Sequence, residues 1–228
     1  MSALMTLEEF VANRNAYSYP AVELGGSIES WNQVDFLSTR QMDRHHHELL
    51  TSQEDTKAVL GYFSAVSWGY FSGQDGVLRV ARAHSRVRLA LKGIGDGRIG
   101  GVEGAGRKIQ AASGLLESHR CGEALSLLWE LPQLGPAFAS KVCAFLAPTK
   151  CGVVDSIIAA KYQQFGFCTD TKGNVKKSAS NVGRYDSYCS FLRENAEKLN
   201  QEGSELRWKD RDKTLQTWRA VDVERALY

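Results

Sequence analysis

The feature that most constrains this fold is a sharp reversal between two apolar helical segments, within residues 128–158. The segment LPQLG at residues 131–135 forms the reversal, because proline ends the incoming helix and glycine permits an abrupt change of direction. Pro136 suits the first turn of a new helix, where no N–H group is missed. Apolar residues then recur at helical spacing: Phe138, Ala139, Val142, Cys143, Phe145 and Leu146. The sequence therefore predicts a tight helical hairpin over about residues 122–147.

A single acidic residue follows this hairpin, after two valines. Asp155 lies twenty residues beyond Gly135 and directly before an apolar segment that begins at Ile157. An acid in that position is either the N-cap of the next helix or a catalytic group that the fold places in a site. Both interpretations of segment 151–162 are open at this point.

The hairpin and the acid together resemble the helix-hairpin-helix DNA glycosylases, whose pattern is roughly LPGhGxKxA followed by hVD. LPQLGPAFA provides the Leu, the Pro, the second Gly and the Ala, and VVD places Asp155 at the family's spacing. Two positions depart from the pattern. Gln133 replaces the first glycine, and Ala137 stands where bifunctional members carry their Schiff-base lysine. Lys141 lies one turn further along the same helix face.

This resemblance implies an all-α, two-lobed helical fold that forms one domain over residues 1–228, with the site in the cleft between lobes. The absence of any sustained period-2 alternation also predicts an all-α chain. As a glycosylase, the protein would excise a flipped, damaged or modified base, with Asp155 stabilising the sugar cation or activating the nucleophile. Ala137 slightly favours a monofunctional enzyme. A bifunctional glycosylase and lyase acting through Lys141 is the alternative.

The substrate class also comes from the resemblance. An oxidised purine such as 8-oxoguanine is the family default, and another modified base, such as one from a bacteriophage genome, fits the same chemistry. The expected partner is double-stranded DNA containing that base. The resemblance is to a bacterial group, and it implies base-excision DNA repair.

Candidate DNA-binding residues fall into two groups. The amides that begin the second hairpin helix favour a phosphate, and they belong to Gln133, Leu134, Gly135 and Ala137. Basic side chains supply the second group: Arg79, Arg82 and Arg86 on one side of a helix predicted from Val77 to Leu91, then Arg107 and Lys108 after a glycine-rich segment. A solvated helix surface explains the same basic residues without DNA.

Candidate base-pocket residues are aromatic or come from the end of the chain. Trp68, Tyr70 and Phe71 close a predicted helix, where rings can stack on a flipped base or simply pack in the core. The closing run LRWKDRDKTLQTWRAVDVERALY resembles that of a bacterial group related to 8-oxoguanine glycosylases, whose terminal helix leans over the base pocket. That likeness adds Trp218, Asp222 and Tyr228, although Asp222 also suits a helix N-cap.

Composition sets further expectations. The five cysteines have no CxxC spacing and predict free buried thiols, with no metal and no cofactor. Three adjacent histidines at residues 45–47 point in different directions on a helix and predict a solvated face. No signal peptide or membrane span is recognised, so we expect a cytoplasmic, nucleoid-associated monomer. A net charge of +2 neither requires nor excludes nucleic acid.

Local signals predict the remaining elements. Thr6 opens a helix with a capping box, and residues 16–40 predict an irregular arm. Residues 52–55 cap a helix with a core stripe at Val59, Leu60, Phe63, Val66 and Tyr70. Residues 157–165 predict a helix, residues 169–184 a polar loop, and residues 185–199 a long amphipathic helix.

Two other functions compete with the glycosylase hypothesis. A non-catalytic DNA-binding module would use the hairpin alone, and its DNA binding would not depend on Asp155. A helical interaction protein would use Asp155 only as a cap and would show no salt-sensitive binding to DNA.

Overall fold

The computed structural model describes residues 5–26, 31–71 and 79–228, with residues 23–26 and 31–34 described by their backbone alone. Helices dominate these residues, which confirms the all-α prediction. Ten α-helices follow one another in the described chain: α1 (Leu7–Ala16), α2 (Thr39–Leu50), α3 (Asp55–Phe71), α4 (Val80–Gly95), α5 (Gly101–Glu117), α6 (Cys121–Leu128), α7 (Pro136–Leu146), α8 (Ser156–Lys161), α9 (Ala179–Gln201) and α10 (Ala220–Leu227). No helix of the described residues is long and apolar enough to cross a membrane.

Two small antiparallel hairpins lie between the helices. β1 (Val22–Gly26) pairs with β2 (Trp31–Asp35), in a register that sets Val22 opposite Asp35. β3 (Trp208–Lys209) pairs with β4 (Leu215–Gln216). The prediction of an irregular arm over residues 16–40 is therefore wrong for β1, β2 and the start of α2. Strands of five residues or fewer are too short to show sustained alternation, so periodicity does not reveal them.

Most helix boundaries agree with the local signals. The capping box at Thr6 is confirmed, because the Glu9 N–H donates to Thr6 Oγ1 and the Thr6 N–H donates to Glu9 Oε2. The helix predicted over residues 157–165 is shorter, since α8 ends at Lys161 and a 3₁₀ turn spans Gln163–Phe165. The polar loop ends at Ser178, whose side chain caps α9.

The buried face of α4 differs from the predicted one. Helical spacing predicts an apolar face, opposite the three arginines, at Val77, Val80, Ala81, His84, Val87 and Leu91. Val80 and Leu91 are exposed, however, and Val77 lies outside the described residues. Ala83, Ala90 and Ile94 face the core instead. In α3, Val59 and Val66 of the predicted stripe are buried, but Leu60 is exposed and Tyr62 is buried in its place.

The helices form two sets according to their contacts. The first set contains α2 to α7, with α3 packed on α2, α4, α5 and α7. In the second set α10 packs on α1 and α9, and α9 also contacts α6 of the first set. Buried residues from both sets belong to one apolar core. The cavity described below lies where the two sets face each other.

The histidine triplet does not form a solvated face. His46 is fully buried and stacks on Phe145, with ring centroids 4.2 Å apart. The His47 Nδ1–H donates to the Phe145 carbonyl, 3.1 Å away. The prediction was wrong because α2 packs against α7, which turns this face of the helix inward.

A buried ion-pair network fixes α10 against α1 and α2. Asp43 accepts two hydrogen bonds from Arg225, at 2.6 and 2.9 Å, and a third from Arg219. Asp222 accepts from Arg219 Nε at 2.8 Å and lies 3.4 Å from Arg14 Nη2. The surrounding guanidinium groups offset burial and hold the pKa of both carboxyls below the usual range. Each carboxylate therefore stabilises the fold only while its guanidinium partners remain in place.

We expect Asp43→Asn to lower the free energy of unfolding by about 3–5 kcal/mol, because it removes the bidentate partner of buried Arg225 and leaves that cation only the longer pair with Asp222, at 3.8 Å. Asp96→Asn is the matched control, since Asp96 and Arg98 form an exposed pair at 3.7 Å; exposed pairs contribute about 1 kcal/mol or less. Urea unfolding measures both changes. Since the folded-state pKa of Asp43 is depressed, the difference between Asp43→Asn and the parent should shrink as pH falls below about 4. A deficit in Asp43→Asn no larger than that in Asp96→Asn would contradict this account.

Candidate functional site

A cavity of about 1390 Å³ opens between the two sets of helices. One wall comes from the C-terminal end of α3, the start of α4 and the N-terminal half of α7. The other wall comes from residues 16–20 after α1, the start of α8 and the inner face of α10. Drug-sized ligands occupy pockets of about 300–1,000 Å³, so this cavity has room for a group larger than an isolated base.

Asp155 lies in this cavity and also caps α8. Its Oδ1 atom accepts the N–H groups of Ile157 and Ile158, at 2.9 and 3.1 Å. Oδ2 takes no part in these two bonds. Burial and then the nearby Asp155 carboxyl raise the pKa of Tyr228. The cap and the site residue are therefore compatible roles of one side chain, because the cap uses only one carboxylate oxygen.

Three hydroxyl groups hold the extended segment that carries Asp155. Ser140 on α7 accepts the Val154 N–H at 3.0 Å. From α9, Tyr185 donates to the Gly152 carbonyl at 2.8 Å, and Tyr188 donates to the Val153 carbonyl at 3.2 Å. Because the segment has no strand partner, these side chains satisfy its buried backbone and fix the direction of Asp155.

The turn between α6 and α7 presents the start of α7 to the cavity. Gln133 adopts the left-handed conformation with φ of +62°, which explains why a glycine suits this position in the resembled pattern. Its side-chain Oε1 accepts from Arg86 at 3.0 Å. Gly135 is the N-cap of α7 and has no capping side chain, and Gly135, Pro136 and Ala137 line the cavity.

Lys141 also lines the cavity, one turn into α7. Its side chain is only 9 % exposed, and Nζ lies 5.3 Å from the centroid of the Phe138 ring. Phe138 in turn stacks on Tyr70, with centroids 4.2 Å apart. Arg82 and Arg86 lie over the Tyr70 ring, at 5.2 and 5.0 Å. Cations therefore flank a stacked aromatic pair at the cavity wall.

A glycine permits this stack to form. A Cβ atom at Gly69 would stand 2.4 Å from the Phe138 ring, closer than real Cβ contacts allow. Gly69 therefore lets α7 bring Phe138 against α3, beside Tyr70.

Glu224 is the site residue that sequence reasoning missed. It lies on the inner face of α10, is 3 % exposed and lines the cavity. Burial is the largest influence on it and raises the pKa of Glu224 to about 8, with a further increase from Asp155 and opposing effects from Arg225 and Lys141. Its place in the sequence looks like one more acid on an amphipathic helix, and only the packing of α10 distinguishes it.

Aromatic rings from the N-terminal arm complete the cavity wall. Tyr17 and Tyr19 stack on each other, and Tyr19 meets Trp68 edge to face at 4.8 Å. Tyr17 contacts Tyr228 in the same manner, and the Trp68 indole N–H donates to the Pro20 carbonyl. Neither Tyr17 nor Tyr19 was a sequence candidate, because no local pattern relates this arm to the hairpin.

The structure separates the sequence candidates into two groups. Several line the cavity: Asp155, Lys141, Gly135, Ala137, Arg79, Arg82, Trp68, Tyr70 and Tyr228. Gln133 and Arg86 contact each other beside them. The remaining candidates do not line it: Leu134, Phe71, Trp218, Asp222, Arg107 and Lys108.

The candidates outside the lining have other partners. Phe71 and Leu134 are core residues, and the Trp218 indole donates to the Leu206 carbonyl at 2.6 Å. Asp222 belongs to the buried ion-pair network and does not line the cavity. The N-cap of α10 is Arg219, and Asp222, in the first turn, accepts its N–H at 3.2 Å. On α5, Arg107 pairs with Glu103 and Lys108 pairs with Glu130.

The cysteines lie away from the cavity lining. Cys121, Cys143, Cys151 and Cys189 are free and buried, as predicted, and Cys168 is partly exposed. The sulfur atoms of Cys121, Cys151 and Cys189 lie within 4.8 Å of one another, and this is the one group with metal-ligand chemistry among the described residues. Structural zinc sites take four ligands, so these three thiols alone do not complete one.

Comparison with protein-family models matches residues 27–228 to the family described as "Putative 8-oxoguanine DNA glycosylase OGG-like protein". The match spans the hairpin, Asp155 and α10, and covers far more than half of the chain. Comparisons with curated proteins and with solved structures gave no match. Because the family match covers residues 27–228, the chain belongs to this OGG-like DNA glycosylase family.

Proposed function

We propose that this protein is a DNA glycosylase that takes a modified base out of the duplex and cleaves its N-glycosidic bond at Asp155. The observation that carries the proposal is the position of Asp155 in the same cavity as the start of α7. The N-terminal end of α7, which can bind a phosphate, and the Asp155 carboxylate thus line the same cavity. The family description names 8-oxoguanine, and an oxidised purine is accordingly the first substrate to test.

DNA would be positioned by the start of α7. The first N–H groups of a helix lack intrahelical partners, and the helix dipole favours an anion beside them. Gly135 provides no side chain that would compete with a phosphate for these groups. The cations over Tyr70 supply a second backbone contact along the same edge of the cavity. Such contacts fix the register of the strand without reading its sequence.

The flipped base would enter between the aromatic rings of the two walls. Tyr19 stands on one wall, and Trp68 and Phe138 stand on the other. Base–aromatic stacking offsets part of the cost of unstacking the base. The sugar of the same nucleotide would then lie near Asp155. As the C1′–N bond breaks, the base leaves with the bonding electrons and is protonated by solvent, and the Asp155 carboxylate stabilises the positive charge on the sugar. Water then adds to C1′ and gives its proton to Asp155.

Base removal without strand cleavage is the reaction that we favour. Ala137, at the position of the family's Schiff-base lysine, has no nucleophile. Lys141 lines the cavity, so a covalent route through it is the defined alternative. The non-catalytic DNA-binding module remains the competing function, and it differs from ours in the role of Asp155.

We expect Asp155→Asn to reduce single-turnover excision by about 10²–10⁴-fold, the contribution of a positioned acid–base group. Asparagine retains an oxygen for the Ile157 and Ile158 amides, so folding and DNA affinity should be kept. Asp186→Asn is the matched control, since Asp186 accepts the Gly122 N–H at 2.7 Å and does not line the cavity. Full excision by Asp155→Asn would exclude the proposed role of Asp155.

The monofunctional proposal predicts DNA nicks only after hot alkali, and no complex trapped by borohydride. Labelled duplexes with a panel of modified bases test this directly. A trapped complex that Lys141→Gln abolishes would establish Lys141 as the nucleophile instead. Lys161→Gln is the control in that case, because Lys161 lines the same cavity while donating to the Leu227 carbonyl.

We expect Arg82→Ala to weaken binding to unmodified duplex and to reduce the slope of log K against log salt by about 1, as for the loss of one phosphate contact. Arg120→Ala is the control, because Arg120 pairs with Glu123 and does not line the cavity. Fluorescence anisotropy at several salt concentrations measures both. Equal slopes for Arg82→Ala and the parent would remove Arg82 from the DNA interface.

A further inference from the structure

Glu224 occupies a position in the cavity that the reaction at Asp155 does not itself use. Its side chain is buried in the wall formed by α10, opposite the α7 wall that carries Lys141. Lys161 Nζ and the Tyr162 hydroxyl both donate to the Leu227 carbonyl at 2.9 Å, which ties the end of α10 to α8. Glu224 therefore has a fixed position relative to Asp155 at the start of α8.

The backbone opposite α10 is built for close contact with Glu224. A Cβ atom at Gly152 would stand 2.7 Å from Glu224 Cβ and 3.0 Å from its Cγ, so only glycine admits the side chain there. The Val153 backbone is near enough to the Glu224 carboxyl to lower its pKa slightly, against the larger effect of burial. Glu224 thus lies against the segment that carries Asp155, and its side chain lines the open cavity.

Titratable and charged groups face Glu224 from every element around it: Lys141 on α7, Asp155 before α8, Tyr188 on α9, Tyr17 after α1, and Arg225 and Tyr228 on its own helix. Arg225 is the nearest cation in sequence, but it makes two hydrogen bonds to Asp43. Its charge is therefore largely balanced by Asp43 within the ion-pair network, which leaves burial to dominate at Glu224.

We propose that Glu224 is a specificity-determining residue that reads the edge of the everted base through its carboxyl group. The inference rests on the proposed function, and it deepens that function by assigning base recognition to α10. The ligand class is a base edge that presents an acceptor beside a donor, as a lactam does.

The protonation state of Glu224 decides which edge it can read. Burial raises the pKa of Glu224 to about 8, so the acid is mostly neutral at pH 7. A neutral carboxyl offers an O–H donor next to a carbonyl acceptor, and so matches an edge with both functions. A carboxylate only accepts, and a base carbonyl placed against it would be left buried without a donor. Recognition should therefore weaken as pH rises through about 8.

The test measures binding rather than excision, in an Asp155→Asn background. The probes are duplexes with 8-oxoguanine, other oxidised purines or a bulky modified pyrimidine, each compared with the unmodified duplex. We expect one modified duplex to be preferred by about 10- to 100-fold near pH 6.5, the value of a good bidentate contact. The preference should fall towards one near pH 9.5, because burial raises the pKa of Glu224 to about 8 and the side chain is ionised above that pH.

Two substitutions separate recognition from structure. Glu224→Gln carries an amide donor beside a carbonyl acceptor, as the neutral acid does, and should keep the preference at both pH values. Glu224→Ala should lose it at both. Glu197→Gln, at an exposed position of α9, should behave as the parent. Thermal unfolding and affinity for unmodified duplex should change little in any of them.

The inference is overturned if Glu224→Ala keeps the preference for the modified duplex, or if no modified duplex is preferred at all. It is also overturned if Glu224→Gln loses that preference, or if the preference of Glu224→Gln still falls at alkaline pH. Excision by the protein with Asp155 intact is measured in parallel. Base preference that depends on Glu224 without any excision would contradict the proposed reaction while supporting the role of Glu224. Excision that does not depend on Glu224 would support the proposed reaction while contradicting the role of Glu224.

Discussion

The buried ion pair between Asp43 and Arg225 is the interaction on which the cavity depends. Removing two charges from water costs several kcal/mol for each ion, and only near-ideal geometry recovers that cost. Here the geometry is bidentate, at 2.6 and 2.9 Å. The bond joins α2, near the beginning of the chain, to α10 at its end. Together with the ion pairs of Asp222 and the hydrogen bonds to the Leu227 carbonyl, it fixes the rotation of α10, so that its inner residues line the cavity that holds Asp155.

The same helix shows how structural and functional groups divide one surface. Asp222 and Arg225 point to α2 and take part in the ion-pair network, whereas Glu224 and Tyr228 point to the cavity. Successive residues of a helix project about 100° apart, so neighbours in sequence serve different surfaces. This explains why Asp222 was the candidate chosen from the sequence and Glu224 was not, although the two acids are only two residues apart.

The predictable part of this site is the part whose residues are close in sequence. The hairpin, the N-cap geometry of Asp155 and the position of Lys141 one turn beyond Ala137 follow from proline, glycine and helical spacing alone. The aromatic wall at Tyr17 and Tyr19 forms because the N-terminal arm packs against Trp68. That contact joins residues far apart in sequence, so no local pattern predicts it. The prediction of the buried face of α4 was wrong for a related reason. Its sequence offers valines and leucines around more than one side, and packing against α3 selects the alanines.

Charge balance links the roles proposed for the two cavity acids. Among the described residues, Asp155 and Glu224 are the two acids of the cavity lining, and Asp155 disfavours a second negative charge at Glu224. DNA bound as proposed would add further negative charge, so an ionised Glu224 would oppose both its own burial and the approach of the backbone. Neutralising Glu224 removes both costs and gives the cavity a donor that a carboxylate lacks. A pair of acids in one pocket can therefore serve two purposes, provided that only the one beside the sugar carries charge.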